Sequence, residues 1–503
     1  MAPGAKPGRL PNTTMNETLH TLLVAASNAL EVKAGHVVVR DEKVLRERGI
    51  DALVSLAVFG DDERKAAARW LIWETAQTLG IRPGSIHELY VARGAGKLPH
   101  TFTTPAMNIR AMAYDSARAA MAAIVRHNVG AFIFEIARSE MTYTNQSPQE
   151  YVCVMLAAAI KEGFRGPLFI QGDHFQVNAK KYTDPATRDG EISALKKLMA
   201  DAIAAGFYNI DIDTSTLVDL SKPTLLEQQR LNYELCAMFS DYIRELSPKG
   251  ITVSLGGEIG EVGQKNSDIH EMRAFMEGYE RLIKHKPGIS KISIQTGTSH
   301  GGVVLPDGTI AEVTIDFKTL HDLSIEARNH GMGGAVQHGA STLPESAFGK
   351  FVESEAIEVH LATAFQTMLF DQLPAEFNAE VNAWLFKNAL DERKPKDTDE
   401  QFLYKTRKKA IGPFKKQMWH LGEDERAKVR HALGERFELL FTRLGVLNTR
   451  DAVAKFVTVF TIGHCITLVF ATFFKITWNY YLVDAIIAIS VIYKGFDNNG
   501  GFQ

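Results

Sequence analysis

Cysteine is scarce in this chain: Cys153, Cys236 and Cys465 stand far apart, and no two form a CxxC pair. That excludes a disulfide framework and a thiolate zinc site, and it fits a reducing, cytoplasmic compartment. An excess of one charge is missing too. The 56 Lys and Arg against 59 Asp and Glu leave a net charge of −3, so there is no electrostatic footprint for nucleic acid and no such partner is expected. The opening MAPGAKPGRLPNTT holds no apolar run of the kind an export signal needs, and 1–15 read as a disordered lead. No Gly-rich phosphate turn follows the first strand candidate, which weighs against a doubly wound open sheet.

What is present is the composition of a globular enzyme, 45% apolar and 23% charged. Residues 16–99 read as a helical extension. ETLHTLLVAASNALEV and DDERKAAARWLIWETAQTLG repeat apolar residues at three- and four-residue spacing, with Asp61 and Asp62 as N-cap candidates for the second. From about Thr101 the texture changes. FTTPAMN, GAFIFEIA, GPLFIQGD, YNIDID, ITVSLGGE, KISIQTG, GAVQHG and AIEVHLAT are strand candidates, and amphipathic stretches long enough for helices separate them. Eight strand–helix repeats over 100–410 predict an α/β fold closed as a (β/α)8 TIM barrel. Helices over 411–455 and an apolar helical hairpin over 456–503 complete the expected organisation.

Ionisable residues recur at the ends of these strands. Asp173 and His174 follow PLFIQG, Asp213 ends YNIDID, Glu258 follows VSLGG, His300 follows ISIQTGTS, and His338 follows GGAVQ. In a barrel such ends converge on one face, where the loops build the active site. A lone histidine beside an apolar run is more often a satisfied core or surface residue. Three at equivalent strand ends, each beside glycine or another small residue, point instead to a divalent ion such as zinc with an open coordination position.

The motifs GDH (172–174), EIG (258–260), GTSHGG (297–302) and HGAS (338–341) stand in an order and spacing that resemble the class II, metal-dependent fructose- and tagatose-bisphosphate aldolases. The resemblance covers roughly 100–410. It implies that His174, His300 and His338 are metal ligands and that Asp173 is the acid/base at the carbon next to the hydroxyl. Glu258 resembles the family's carboxylate at an alternative metal position, and Asp213 the aspartate near a second cation. Gly301, Gly339 and Ser341 match groups that cradle a substrate phosphate, while Asn108 in FTTPAMNIR and the retained Thr363 match positions near the substrate. The cofactor implied is Zn2+ or another divalent cation, with a monovalent cation beside it. The partner implied is a phosphorylated sugar, and a homo-oligomer is the expected assembly.

Retro-aldol chemistry suits such a site. Cleavage leaves an enediolate whose charge a cation can stabilise, so no Schiff-base lysine is needed. Two departures concern the sugar rather than the metal. His360 stands where the family's eighth-strand motif usually has Asn, and GEIGEVGQKN keeps Glu261 alone in place of the family's paired acids. Arg407, Lys408 and Lys409, in FLYKTRKKAIGPFKK, lie where a late helix can bring a basic residue to a distal phosphate; a solvated basic face is the plainer reading.

The tail differs in kind. FVTVFTIGHCITLVFATFF (456–474) carries no formal charge, and ITWNYYLVDAIIAISVIY (476–493) carries only Asp484. Each approaches the length of a membrane-spanning helix, and Trp478, Tyr480 and Tyr481 would suit an interfacial belt. The segment resembles the terminal helices of hydrogenase/urease-type membrane accessory proteins, which implies a membrane contact through 456–493. Apolar helices packed in an oligomer interface, or a fused reading frame, would give the same composition. For the whole chain the function expected is a metal-dependent aldolase. A sugar epimerase or isomerase using the same enediolate chemistry, and a non-catalytic membrane-tethered binding protein, are the alternatives.

Overall fold

All eight strand candidates form strands, and they close into a barrel. The computed structural model of the chain describes residues 15–260, 265–297, 305 and 315–458. Strands β1 (Leu30–Lys33) and β2 (His36–Val39) form an antiparallel hairpin, and β3 (Ile81–Gly84) lies outside the barrel. The barrel strands are β4 (Thr104–Asn108), β5 (Ile133–Ala137), β6 (Gly166–Gln176), β7 (Asn209–Asp213), β8 (Ser254–Glu258), β9 (Lys291–Ile294), β10 (Ala335–Gln337) and β11 (Glu358–Leu361). Each pairs in parallel with the next, and β11 pairs with β4 to complete the ring. This is the (β/α)8 barrel expected from the alternation of elements.

Alternation within each strand assigns the two faces, because successive side chains point to opposite sides. Phe134, Ile136, Ile170, Ile210, Ile212, Leu255, Ile292, Val336 and Val359 are buried beneath the surrounding helices. The other face is polar. Gln171 Nε2 donates to Glu135 at 3.0 Å and Glu358 at 2.9 Å, while Lys291 Nζ donates to Gln171 Oε1 at 2.7 Å and pairs with Asp211 at 2.9 Å and with Glu358. Barrel interiors are usually filled by branched apolar side chains; this one is spanned by a charged network. Tyr90, on the helix His87–Gly94, donates its hydroxyl to Glu358.

Lys291 is fully buried. Burial alone would lower its pKa, but Asp211 and Glu358 reverse the effect and raise it. A protonated, ion-paired amine is unsuited to Schiff-base chemistry, which needs the neutral form.

Before the barrel, one helical expectation is corrected. The helix Met15–Ala25 stops short of ALEV, and Leu30–Lys33 pairs with His36–Val39. Ala34 and Gly35 both take positive φ (50° and 82°), the backbone of a tight hairpin turn, and the β-branched HVVV supplies the returning strand. Apolar spacing alone does not reveal that turn. Asp61 caps the helix Asp62–Thr78 by accepting from the Arg64 amide at 2.9 Å, as expected. Strand β3 pairs in parallel with the first half of β6. After the barrel, the helix Glu423–Arg443 buries Phe437, Leu440 and Phe441, and its Arg430 pairs with Asp115 on the helix Ala113–Arg126. The expected apolar hairpin over 456–503 lies, from residue 459 onward, outside the described residues. Among the described residues no helix is long and apolar enough to cross a membrane.

Removing one partner from a buried ion pair leaves an uncompensated charge. Lys291→Met is therefore expected to lower unfolding free energy by about 3–5 kcal/mol, more than Lys291→Met combined with Glu358→Gln; urea unfolding of both variants measures the difference. Burial would raise the Glu358 carboxyl, but Lys291 and His360 hold it down to about 2. Its stabilising contribution is present above the unfolded value of roughly 4.3 and disappears as pH falls toward 2. Glu358→Gln should flatten the acid limb of the stability curve.

Candidate functional site

The site starts from an irregularity in β6. Gly172 pairs with Ile210 and Phe175 with Ile212, so Asp173 and His174 together oppose Asp211 alone. Adjacent residues on a regular strand would point to opposite faces; the extra residue of this bulge turns both toward the mouth of the barrel. His174 adopts φ 41°, and a Cβ at Gly172 would lie 2.4 Å from the Phe175 ring. Glycine at 172 lets that ring fold under the bulge.

His174 is enclosed by acids. Its Nδ1 lies 3.1 Å from Asp213 Oδ2 and 3.4 Å from Glu258 Oε2, and its Nε2 lies 3.7 Å from Asp173 Oδ1. Burial would depress this imidazole, but Asp173, Glu258 and Asp213 hold it well above its ordinary value. Glu258 is pushed up to about 7, first by burial and then by the charge of Asp213. Asp213 stays low despite burial, because His174, Ser215 and Gln176 bond its carboxylate. His338, just past the end of β10, packs against His174 with the ring centroids 4.3 Å apart and the planes tilted by 50°, and its Nε2 lies 2.9 Å from Ser293 Oγ.

Two donor groups thus share His174: Asp173, His174 and His338, and His174, Asp213 and Glu258, with ligating atoms within 4.8 Å of one another in each. Imidazole nitrogens beside carboxylates suit zinc and similar divalent ions, and two carboxylates pressed together in a buried site are what a cation would relieve. The residues fit a metal. Ser293 and Asp213 orient the two imidazoles in the manner of outer-shell partners.

The structure brings most of the expected residues to this face. Asn108 donates to Glu140 at 2.7 Å and lies 3.5 Å from Asp173 Oδ2. Ser341 Oγ accepts from the Ala364 amide at 3.3 Å, just after Thr363, which opens the helix Thr363–Gln372. Gly339 has φ 68° at the end of β10. His360 points inward below His338, with the rings 4.1 Å apart, and both its nitrogens face carboxylates. His300, Gly301 and Glu261 lie outside the described residues. Of the late basic residues, Arg407 stacks over Phe370, Lys408 over Tyr143, and Lys409 pairs with Glu392.

Sequence reasoning missed Glu135, Glu140, Arg110, Asp211, Lys291 and Glu358. Arg110 pairs with Glu140 at 2.6 Å and bonds Asn108 Oδ1 at 3.2 Å, so it braces that asparagine. The available signal was the period-two acid pattern in IFEIA, NIDID and EVHL, which is foreign to strands packed on apolar surroundings at both faces.

Metal binding at this site competes with protons. Affinity for Zn2+ is expected to rise with pH through about 7, where Glu258 gives up its proton. The bound ion must also displace the proton that the surrounding acids hold on His174, with proton release visible by calorimetry in two buffers. Ser293→Ala should weaken binding by about 10–100-fold. An affinity independent of pH over roughly 6 to 8 would contradict the assignment.

The fructose-bisphosphate aldolase class-II profile matches residues 99–426, more than half of the chain, and that of the HupE / UreJ protein family matches 436–503. No curated protein matches the sequence significantly. Among solved structures the chain is similar to fructose-bisphosphate aldolase from Campylobacter jejuni, with 17% identity and a TM-score of 0.46 over 73% of this chain and 97% of that one. It is similar to a probable tagatose 6 phosphate kinase from Sinorhizobium meliloti 1021, with 16% identity and a TM-score of 0.49 over 70% and 98%. It is also similar to a fructuronate-tagaturonate epimerase from Cohnella laeviribosi, with 12% identity and a TM-score of 0.44 over 76% and 85%. From its barrel and the extent of the sequence match, the chain belongs to the class II fructose-bisphosphate aldolase family.

Proposed function

We propose that the protein is a metal-dependent aldolase that cleaves or forms a carbon–carbon bond in a phosphorylated ketose. The observation that supports this most is the bulge in β6, which sets a buried carboxylate, Asp173, directly beside His174 at the barrel mouth. A general base must reach one particular proton. In cleavage Asp173 takes the proton of the hydroxyl next to the breaking bond. As the bond's electrons pass to the enediolate and the aldehyde forms, it returns that proton to the carbon beside the ketone; condensation runs the same transfers in reverse. Asn108, braced by Glu140 and Arg110, stands within reach of the same carboxylate. A divalent cation held by His174 and His338 would supply Lewis-acid stabilisation of the negative charge that develops on the substrate oxygens. Gly339 and Ser341 offer the small-residue loop and hydroxyl that suit a phosphate.

A second reading, a sugar epimerase or isomerase, draws support from Glu258. It is a further buried carboxyl near neutrality against His174, and epimerisation calls for a second proton-transfer group. Product analysis separates the two, because only an aldolase yields two shorter carbon fragments.

We also propose that the apolar run 456–493 contacts a membrane, on the strength of its composition and the C-terminal match to the HupE / UreJ protein family. The full chain should then co-sediment with phosphatidylcholine vesicles, and a chain ending at Thr458 should not. Equal behaviour of the two would contradict it.

The central test is a retro-aldol screen against phosphorylated ketoses with and without chelator. Activity should vanish on chelation and return with a divalent ion, and Asp173→Ala should lower kcat by about 100- to 10,000-fold. Turnover indifferent to chelator, or to loss of Asp173, would overturn the reading.

A further inference from the structure

We propose that His360 is the positioning residue of Asp173, and that the buried charges of the barrel interior hold His360 in place for that purpose. The inference rests on reading Asp173 as the acid/base. His360 Nδ1 lies 3.2 Å from Asp173 Oδ1 and 3.1 Å from Glu135 Oε2. Its Nε2 lies 2.6 Å from Glu358 Oε1 and 3.7 Å from Asp211 Oδ2. Carboxylates therefore face both ring nitrogens: Nε2 hydrogen-bonds Glu358, while Nδ1 lies at ion-pair distance from Asp173 and Glu135, and a charged ring answers both sides. With 5% of its surface exposed, the ring ties the catalytic layer to the layer beneath it.

Asp173 needs such an anchor. It sits on a bulge, where the ladder to β7 is interrupted while that to β5 continues. Of the contacts to its carboxylate from His360, Asn108 and His174, at 3.2, 3.5 and 3.7 Å, that from His360 is the shortest. The ring is anchored in turn. Glu358 Oε1 takes both His360 and the Lys291 ammonium, Tyr90 donates to Oε2, and Gln171 bridges Glu358 and Glu135. His360 and Glu358 are two residues apart on β11, so both point inward, one above the other.

A cation site is the rival use of this cluster, since Glu135, Glu358 and His360 have the spacing of ligands. Lys291 already places a positive charge on Glu358 and Asp211 and forms ion pairs there. The network therefore carries its own cation.

The test uses the full chain with histidine ring nitrogens labelled, and the variants His360→Asn, Glu358→Gln and Asp173→Asn. The wild type should show two His360 ring N–H resonances protected from solvent exchange, the one facing Glu358 far downfield. Both disappear in His360→Asn, Asp173→Asn shifts one, and Glu358→Gln shifts the other. Exchange of the carbon-bound proton of dihydroxyacetone phosphate with deuterated water should fall about 10- to 100-fold in His360→Asn with KM nearly unchanged, the size expected when a reacting group is misplaced by about an ångström. A merely structural role would lower the melting temperature and leave that rate per folded molecule intact.

Should His360→Asn fail to fold, Glu358→Gln is read in the same way from the far side of the ring. Exchange abolished in Asp173→Asn but unchanged in His360→Asn or Glu358→Gln overturns the positioning inference alone. Exchange that survives Asp173→Asn, or is absent from the wild type, overturns the acid/base reading; a resonance unmoved by Asp173→Asn then decides against the His360 contact on its own.

Discussion

A closed ring of parallel strands leaves little water for the charges it encloses, so each must find its partner inside the ring. This constraint governs the centre of the molecule. Lys291, Asp211, Glu358, Glu135, Gln171 and His360 are linked by hydrogen bonds and ion pairs across strands far apart in sequence. Breaking any link leaves a buried charge exposed to a low dielectric, which costs far more than the net strength of the pair. The network thus argues little for stability and more for function, because apolar side chains would fill the same space at less risk.

The residues of the candidate metal site stand on this charged floor. The bulge in β6 turns Asp173 and His174 to the same side, and the two residues then divide the labour. His174 faces Asp213 and Glu258, while Asp173 faces Asn108 and His360. Two carboxylates that share a small volume would repel. Distributing them around imidazoles gives each a positive or potentially positive neighbour, and it leaves a donor set that suits a divalent ion.

The outer elements show how far pattern reading reaches. The helix Asp62–Thr78 follows directly from its spacing and its Asp61 cap, because both are local. The hairpin at Leu30–Val39 escaped the same reasoning, because a two-residue turn at Ala34 and Gly35 overrides the helical periodicity on either side of it. Arg110 and Glu140 were equally hidden. Each looks like an ordinary surface residue until the fold sets them against Asn108.

The sequence by itself determined the barrel: eight β-rich runs, each followed by a segment long enough for a crossover helix, leave few other ways to pair parallel strands. It also marked Asp173, His174, Asp213, Glu258 and His338, because chemistry at a strand end is visible without knowing which strand is its neighbour. Only the tertiary structure decided that Asp173 and His174 share a side, since a bulge is a property of two paired strands. Only it decided that the inner face of the barrel is charged, since a glutamate in one strand and a lysine more than 150 residues later carry no local sign that Gln171 links them. Closure of the ring turns those distant residues into contacts, and burial then makes the contacts obligatory.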